Sequence, residues 1–400
     1  MLTSGEAWKL IDARVRKLPA KRVPLAEAMG CTLAEPLLAE SDQPACDHSA
    51  MDGYAVAEDS VAGSFALIGV TVPGIAAPKP PARGEAVRVF TGSALPTGVK
   101  VVMQEDVVVD GKTLLVTTME RAGHVRRRGA TAKAGDILLP GGTILGAAEL
   151  GLLASNGVVA PAVAGRPRIA HLTTGSEIIP LDSVPAEGQV RNSNAALVRA
   201  LAEQSGAVVT AHSHCGESLE DALAICQTGA FADCDLLIVS GGASVGDHDN
   251  TSALIENLGF ERVFQKIAIR PGKPILLGVR DGRVAIGLPG NPVSHFATFH
   301  LFVRRVIALL TGCPPPALGI GRVSDPEKIL ERGKLETWWP AVWSVREAVV
   351  ELSPKPWLHS GHLSALAGAN ALLRVPAGQI PSDGELLEFL PCAQPLIPNP

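Results

Sequence analysis

Residues 235–250 read DLLIVSGGASVGDHDN: one acid, an unbroken aliphatic run, then glycines, hydroxyls and two carboxylates. A run without polar alternation is the pattern of a strand buried on both faces, as in a parallel sheet. The loop after that run suits a ligand. Glycines let backbone N–H groups approach closely, hydroxyls hydrogen-bond phosphate-like oxygens, and carboxylates hold a cation. The combination points to an anion handled together with a metal ion.

The same grammar recurs on either side. RIAHLTT ends in GSE, and RVAIGLP ends in GNPVS. Between strands, NSNAALVRALAEQSGA carries an Asn or Ser N-cap, Leu197 and Leu201 on one face, and Gly206 at the stop. A long apolar helix to about Leu310 comes after GNPVS, with Asn291 as its N-cap and Pro292 at the first helical position. Strands alternating with helices predict a parallel, doubly wound sheet over residues 166–312, whose ligand sits beyond the strands' C-terminal ends. Three polar, glycine-containing loops then share one edge.

Farther out the pattern changes. Residues 41–135 are rich in Val, Thr, Gly and Pro, with short runs such as EAVRVF, KVVMQEDVVV and KTLLVTT, which predict a β-rich inserted domain. Residues 1–40 and 136–165 read as one discontinuous, elongated N-terminal domain that links the others, and residues 313–400 as a small C-terminal β domain. The fold class expected is multidomain α/β plus β.

Composition agrees with such a chain. Its 400 residues, 46% of them hydrophobic, exceed one ordinary core. A formal net charge of −5 and a pI near 6.1 disfavour nucleic acid and anionic membranes as partners. The N-terminus mixes Trp8, Leu10, Ile11 and Val15 with charges at helical spacing and lacks the apolar core of a signal peptide. No uninterrupted apolar stretch approaches the roughly 18–20 residues that span a bilayer, so a cytoplasmic protein is expected. Seven cysteines form no C-x-x-C pair and read as reduced structural thiols.

The candidate ligand groups are therefore Thr174, Gly175, Ser176 and Glu177 in the first loop; Ser240, Gly241, Gly242, Ser244, Gly246 and Asp249 in the second; and Pro289, Gly290, Asn291 and Ser294 in the third. Taken singly, Gly241-Gly242 is more simply a tight turn, and Asp247 with Asp249 a solvated pair. Convergence of three loops is what favours a site. KIAIRPGKP strings Lys266, Arg270 and Lys273 along one extended segment suited to an oxyanion. In the β module, Asp52 of SAMDGYAV occupies a turn, and Thr91 opens a TGS turn resembling an anion nest. His248, His295 and His300 show no metal-ligand spacing and read as structural. P-loop and dinucleotide fingerprints are absent.

Seven of these motifs, SAMDGYAV, TGSALPTGVKVVMQED, TTGSEI, RNSN, SGGASVGDHD, RPGKP and LPGNPVS, occur together and in this order. In that respect the chain resembles the molybdopterin molybdenumtransferases, the MoeA-like group that includes the gephyrin E domain, from about Gly5 to Cys392. The resemblance implies an elongated homodimer of four-domain subunits with a molybdopterin-binding α/β domain. It also implies a reaction: adenylylated molybdopterin and molybdate, with Mg²⁺ or a similar divalent ion, give molybdenum cofactor and AMP. Carried over by motif, Asp52, Glu177, Asp249, Lys266 and Arg270 are catalytic, and Glu177 and Asp249 hold the metal. Thr91, Lys273 and Ser360 join the three loops in binding.

Three positions depart from the family pattern. Glu217 or Ser218 stands where an Asp is usual, Arg270 where Lys is frequent, and Trp339 where the family tends to carry Arg. Ser218→Asp and Trp339→Arg are accordingly expected to raise turnover. Two other functions fit the same loops: a noncatalytic carrier that passes molybdenum cofactor to a client molybdoenzyme, and a molybdopterin adenylyltransferase. In a family-like dimer Asp52 would complete the partner subunit's site. Mixing Asp52→Ala with Asp249→Ala protein should then restore part of the AMP release that each lacks alone, and proven subunit exchange without recovery would refute the shared site.

Overall fold

The computed structural model describes residues 1–119, 123–241 and 250–393. It forms two compact units: Met1–Ala34, Gly142–Leu150 and Ala160–Pro400 make one, Glu35–Gly141 and Gly151–Val159 the other.

In the larger unit a six-stranded sheet runs in the order Val208–Cys215, Arg168–Thr174, Leu236–Ser240, Arg283–Leu288, Leu276–Arg280, Glu261–Gln265. All five residues of Leu236–Ser240 are buried. Ile238 packs with Ile169, Ile286 and the helices on one face; Leu237 and Val239 pack with Ala170, Leu254 and Cys226 on the other. Two covered faces explain why the strand is aliphatic throughout.

The first four strands are parallel, as expected. The fifth is reversed: Leu276–Arg280 pairs antiparallel with both of its neighbours, so that Glu261–Gln265 at the edge again runs with the first four. Only Asp281 and Gly282 separate Leu276–Arg280 from Arg283–Leu288, and so short a link reverses the chain, whereas a parallel return needs a crossover of a dozen residues or more.

Helix ends obey the sequence signals. Asn192 caps Ser193–Gln204 by accepting from the Ala195 N–H at 3.1 Å. The opening helix, Ser4–Arg14, has a full capping box between Thr3 and Glu6, and it buries Ala7 and Ile11 in the same core as Phe264 and Ile267. Asn291 stands at the cap position before Pro292, but its side chain makes no cap bond.

The apolar helix corrects a sequence expectation. Pro292–Thr311 is helical for 20 residues, with mean hydropathy 1.3 over its most apolar window, so by length and composition it could cross a bilayer. A π-helical turn at Phe299–Val303 divides it, and 78% of that window is buried inside the protein. Arg304 and Arg305, which interrupt the run on paper, are accommodated by the fold: Arg304 donates to the Pro391 carbonyl at 2.7 Å and Arg305 pairs with Asp12.

Toward the C-terminus, strands Glu336–Arg346, Val349–Pro354, Gly319–Val323, Leu386–Pro391 and Ala371–Val375 pair in a ring that closes on itself. Trp339 fills its interior, 1% exposed, donating to the Lys355 carbonyl at 2.7 Å and meeting Trp357 edge-on at 5.0 Å.

The smaller unit is a six-stranded sheet ordered Val99–Met103, Gly53–Ala57, Glu85–Val89, Gly63–Val70, Thr113–Val116, Val107–Asp110. The run KVVMQEDVVV is two strands, because a 3-10 turn at Gln104–Asp106 breaks it. Tyr54, Val56, Phe65 and Leu114 form its core.

Trp339 is therefore a core residue, and the expectation that Trp339→Arg would raise turnover does not survive its placement. The substitution puts an unpaired cation into a dry interior and removes the contact with Trp357. It should cost roughly 3–5 kcal/mol, measured as a lower urea midpoint; unchanged stability would contradict the packing described.

Candidate active site

A cavity of about 830 Å³ lies at the C-terminal ends of the parallel strands. The chain passes from Arg168–Thr174 outward to Val208–Cys215 and then returns to the other side as Leu236–Ser240. Between two such strands the connecting loops diverge and leave a crevice, which is where open α/β sheets take ligands.

All three sequence-identified loops reach this cavity. Thr174, Gly175 and Glu177 line it from the first, Ser240 and Gly241 from the second, and Pro289, Gly290 and Asn291 from the third. Ser176 is exposed outside the lining. Ser294 is buried one turn into its helix, where its carbonyl accepts from the Thr298 hydroxyl at 2.7 Å. Gly242, Ser244, Gly246 and Asp249, with His248, lie outside the described residues.

Close packing of the loops depends on glycine at two places. Gly241 has φ +101°, and a Cβ there would lie 2.4 Å from the Thr174 carbonyl oxygen. A Cβ on Gly175 would lie 2.6 Å from Oε2 of Glu177, so the missing side chain leaves room for that carboxylate to fold back.

Helix N-termini surround the same space. Asn192, Ser218 and Asn291, the cap residues of Ser193–Gln204, Leu219–Cys226 and Pro292–Thr298, all line the cavity, as does Asn250 at the start of Asn250–Asn257. Their free N–H groups and positive dipole ends favour an anion. Asn194 joins them, donating to the Gly290 carbonyl at 2.7 Å while its own side-chain oxygen is buried without a partner among the described residues. Motif RNSN signals this element in the sequence, but the roles of Asn192 and Asn194 require the helix to be placed.

Ser218 lines the cavity and caps its helix by accepting from the Asp221 N–H at 3.1 Å. Glu217 lines the cavity beside it. From the C-terminal barrel, Gly361 and Leu363 complete the wall, and the Ser360 carbonyl accepts from the Val293 N–H at 3.0 Å.

The basic segment is placed differently. Pro274 lines the cavity, whereas Lys266, Arg270 and Lys273 are not among the lining residues. Arg270 is held by Glu331 and lies over the Trp357 ring at 5.1 Å. Lys266 has φ +65°, its N–H bonded to the Ile275 carbonyl at 2.9 Å.

Asp52 and Thr91 belong to the smaller unit, where the structure brings them together. Thr91 donates to Oδ1 of Asp52 through its N–H at 2.7 Å and its hydroxyl at 2.8 Å. The backbone N–H foremost, then the hydroxyl and the charge of Arg88, hold this carboxyl below the usual carboxylate range. Arg88 lies over Tyr54 and Phe90, at 4.8 and 5.1 Å from their ring centres.

Behind the cavity floor are histidines. His171 approaches the Ser240 hydroxyl at 2.5 Å, and His295 approaches it at 3.4 Å and the Pro289 carbonyl at 3.1 Å. Burial keeps both rings neutral, lowering His295 to about 4 and His171 well below the ordinary value. Burial pushes the Cys226 and Cys392 thiols up to about 12, so both are inert, and all seven cysteines are free. Among the described residues no group of three or more His, Cys, Asp and Glu side chains could hold a metal ion.

Comparison with known proteins agrees with this architecture. Residues 2–157 match the family described as the MoeA N-terminal region (domain I and II), and residues 170–309 match the probable molybdopterin binding domain. A molybdopterin molybdenumtransferase from Nostoc sp. is 34% identical over 395 residues, covering 94% of this chain and 89% of that protein. The chain belongs to the molybdopterin molybdenumtransferase family. A family member from Staphylococcus epidermidis is 29% identical, covering 93% of this chain and 91% of that protein. Among solved structures, a molybdopterin biosynthesis MoeA protein from Pyrococcus horikoshii OT3 superposes with TM-score 0.79 at 25% identity, covering 98% of this chain and all of the other.

The buried histidines make stability depend on pH. His171, His295 and His300 are each depressed chiefly by burial, so unfolding lets them take up protons near pH 6.5 that the folded state refuses. Their contribution is complete above about pH 6.5 and is lost as pH falls toward 4, at up to about 1.4 kcal/mol per pH unit for each ring. Urea unfolding at pH 7, 6 and 5 should show this decline, and a flat profile would mean that the rings are not sequestered.

Proposed function

We propose that the protein is a molybdenum insertase, transferring molybdate to adenylylated molybdopterin with release of AMP. Membership of the family carries the reaction class. The single structural observation that supports it best is the cavity at the strand ends, where glycine loops and helix N-termini offer backbone donors to a phosphate-bearing ligand.

Mg²⁺ is proposed as the accompanying ion. Glu177 and Glu217 both line the cavity, and oxygen donors of this kind, left open to water and substrate phosphate, fit a hard divalent ion. Asp249 is assigned to the same set from its motif. Such an ion would offset the charge on the adenylyl phosphate and molybdate, two anions that otherwise repel. Glu177 and Asp249 orient the ion, the cap residues Asn192, Ser218 and Asn291 hold phosphate oxygens, and Ser240, Gly241 and Gly290 set the depth of the pterin. Asp52, kept ionised by Thr91, is assigned a catalytic role from its motif, as are Lys266 and Arg270. Lys273, Ser294 and Ser360 remain binding assignments on the same basis.

The same reading includes a homodimer, a cytoplasmic location, a molybdoenzyme as recipient of the product, and the four-part division at residues 1–40 with 136–165, 41–135, 166–312 and 313–400. The test is incubation with adenylylated molybdopterin, molybdate and Mg²⁺, with AMP as the readout. Release should require molybdate, and Asp249→Asn should raise the Mg²⁺ concentration needed by roughly tenfold or more without unfolding the protein. An unchanged metal titration would remove Asp249 from the metal set. Pterin binding without AMP release at any molybdate concentration would refute the insertase and leave the carrier.

A further inference from the structure

The two cavity loops beginning at Ser240 and Pro289 are joined from behind by a chain whose direction is fixed by chemistry. A carbonyl oxygen only accepts, so the 3.1 Å contact of His295 Nδ1 with the Pro289 carbonyl requires the proton on Nδ1. In the neutral ring Nε2 is then an acceptor, and the Ser240 hydroxyl donates a hydrogen bond to it across 3.4 Å. The Ser240 oxygen is left to accept from Nε2–H of His171 at 2.5 Å. The same hydroxyl thus ties one loop to an imidazole that holds the other.

His171 and His295 do not line the cavity, so they can touch no ligand there. The backbone they hold does: Ser240, Gly241, Pro289 and Gly290 all line it. Gly241 also bonds directly across the two loops, its N–H donating to the Leu288 carbonyl at 3.2 Å. Any freedom at the Ser240–Pro289 junction would move both walls at once.

We propose that His295, with His171 and the Ser240 hydroxyl, is a positioning device that fixes the spacing of the two pterin-side loops. It rests on the reading that this cavity takes the pterin substrate, and it assigns a role in substrate binding to His295, which the sequence alone marks as structural, and to His171, which the sequence does not single out.

His295→Phe keeps a ring in the space and removes both hydrogen bonds. In the full-length protein, KM for adenylylated molybdopterin should rise about tenfold while kcat changes less than about twofold, because ground-state and transition-state binding are weakened alike. His295→Asn, whose amide can still donate to the Pro289 carbonyl, should recover part of that loss. Amide hydrogen exchange at Gly241 should quicken by about tenfold in His295→Phe relative to the sheet interior. Should His295→Phe fail to fold, Ser240→Ala breaks the tie at the hydroxyl, and amide exchange at Gly241, which needs no ligand, is the readout for that variant. An unchanged KM, or a KM raised equally in His295→Phe and His295→Asn, would overturn the positioning role. Unchanged exchange at Gly241 would overturn it whether or not the pterin binds. Failure of the unmodified protein to take adenylylated molybdopterin would instead remove the functional reading.

Discussion

Burial of Leu236–Ser240 on both faces is the constraint on which the rest of the α/β region depends. A strand with no solvent side must satisfy its backbone through paired neighbours; here both neighbours are parallel, and parallel neighbours need crossovers whose helices cover both faces. Every such helix begins at the edge where a strand ends. The accumulation of cap residues around one cavity is thus a consequence of topology: Asn192, Ser218 and Asn291 come together because their helices all return from the same edge. A site for an anion then comes with little added cost, since the donors are the N–H groups that helix starts leave unpaired.

Behind that edge the polar groups are neutral, and this is consistent with an anionic ligand in front of them. Buried imidazoles at His171 and His295 hold carbonyl and hydroxyl groups without placing a charge beside the cavity loops. The charges are distributed elsewhere. Glu177 and Glu217 are exposed at the cavity wall, and Arg270 is engaged with Glu331 and Trp357 on the side of the C-terminal barrel. Ser218 satisfies its helix start with a neutral hydroxyl, so that position on the wall carries a cap without a charge.

The sequence by itself determined the aliphatic strands, the three glycine loops and their order, the capped helix after RNSN, and the β character of the inserted segment, because each depends on residues close together in the chain. Thr174, Gly175, Glu177, Ser240, Gly241, Pro289, Gly290 and Asn291 were legible as one site for the same reason: strand ends of a parallel sheet share an edge whatever the details. Only the tertiary structure decided the reversal of the fifth strand, the enclosure of the apolar helix, and the burial of Trp339. The tie between His171, Ser240 and His295, separated by 69 and 55 residues along the chain, belongs with these. Local pattern says which face of an element is apolar, but not which distant side chain fills the space beside it; that is set by packing, where the identity of a neighbour decides whether a tryptophan is a site residue or a core and whether a histidine is a filler or a hinge pin.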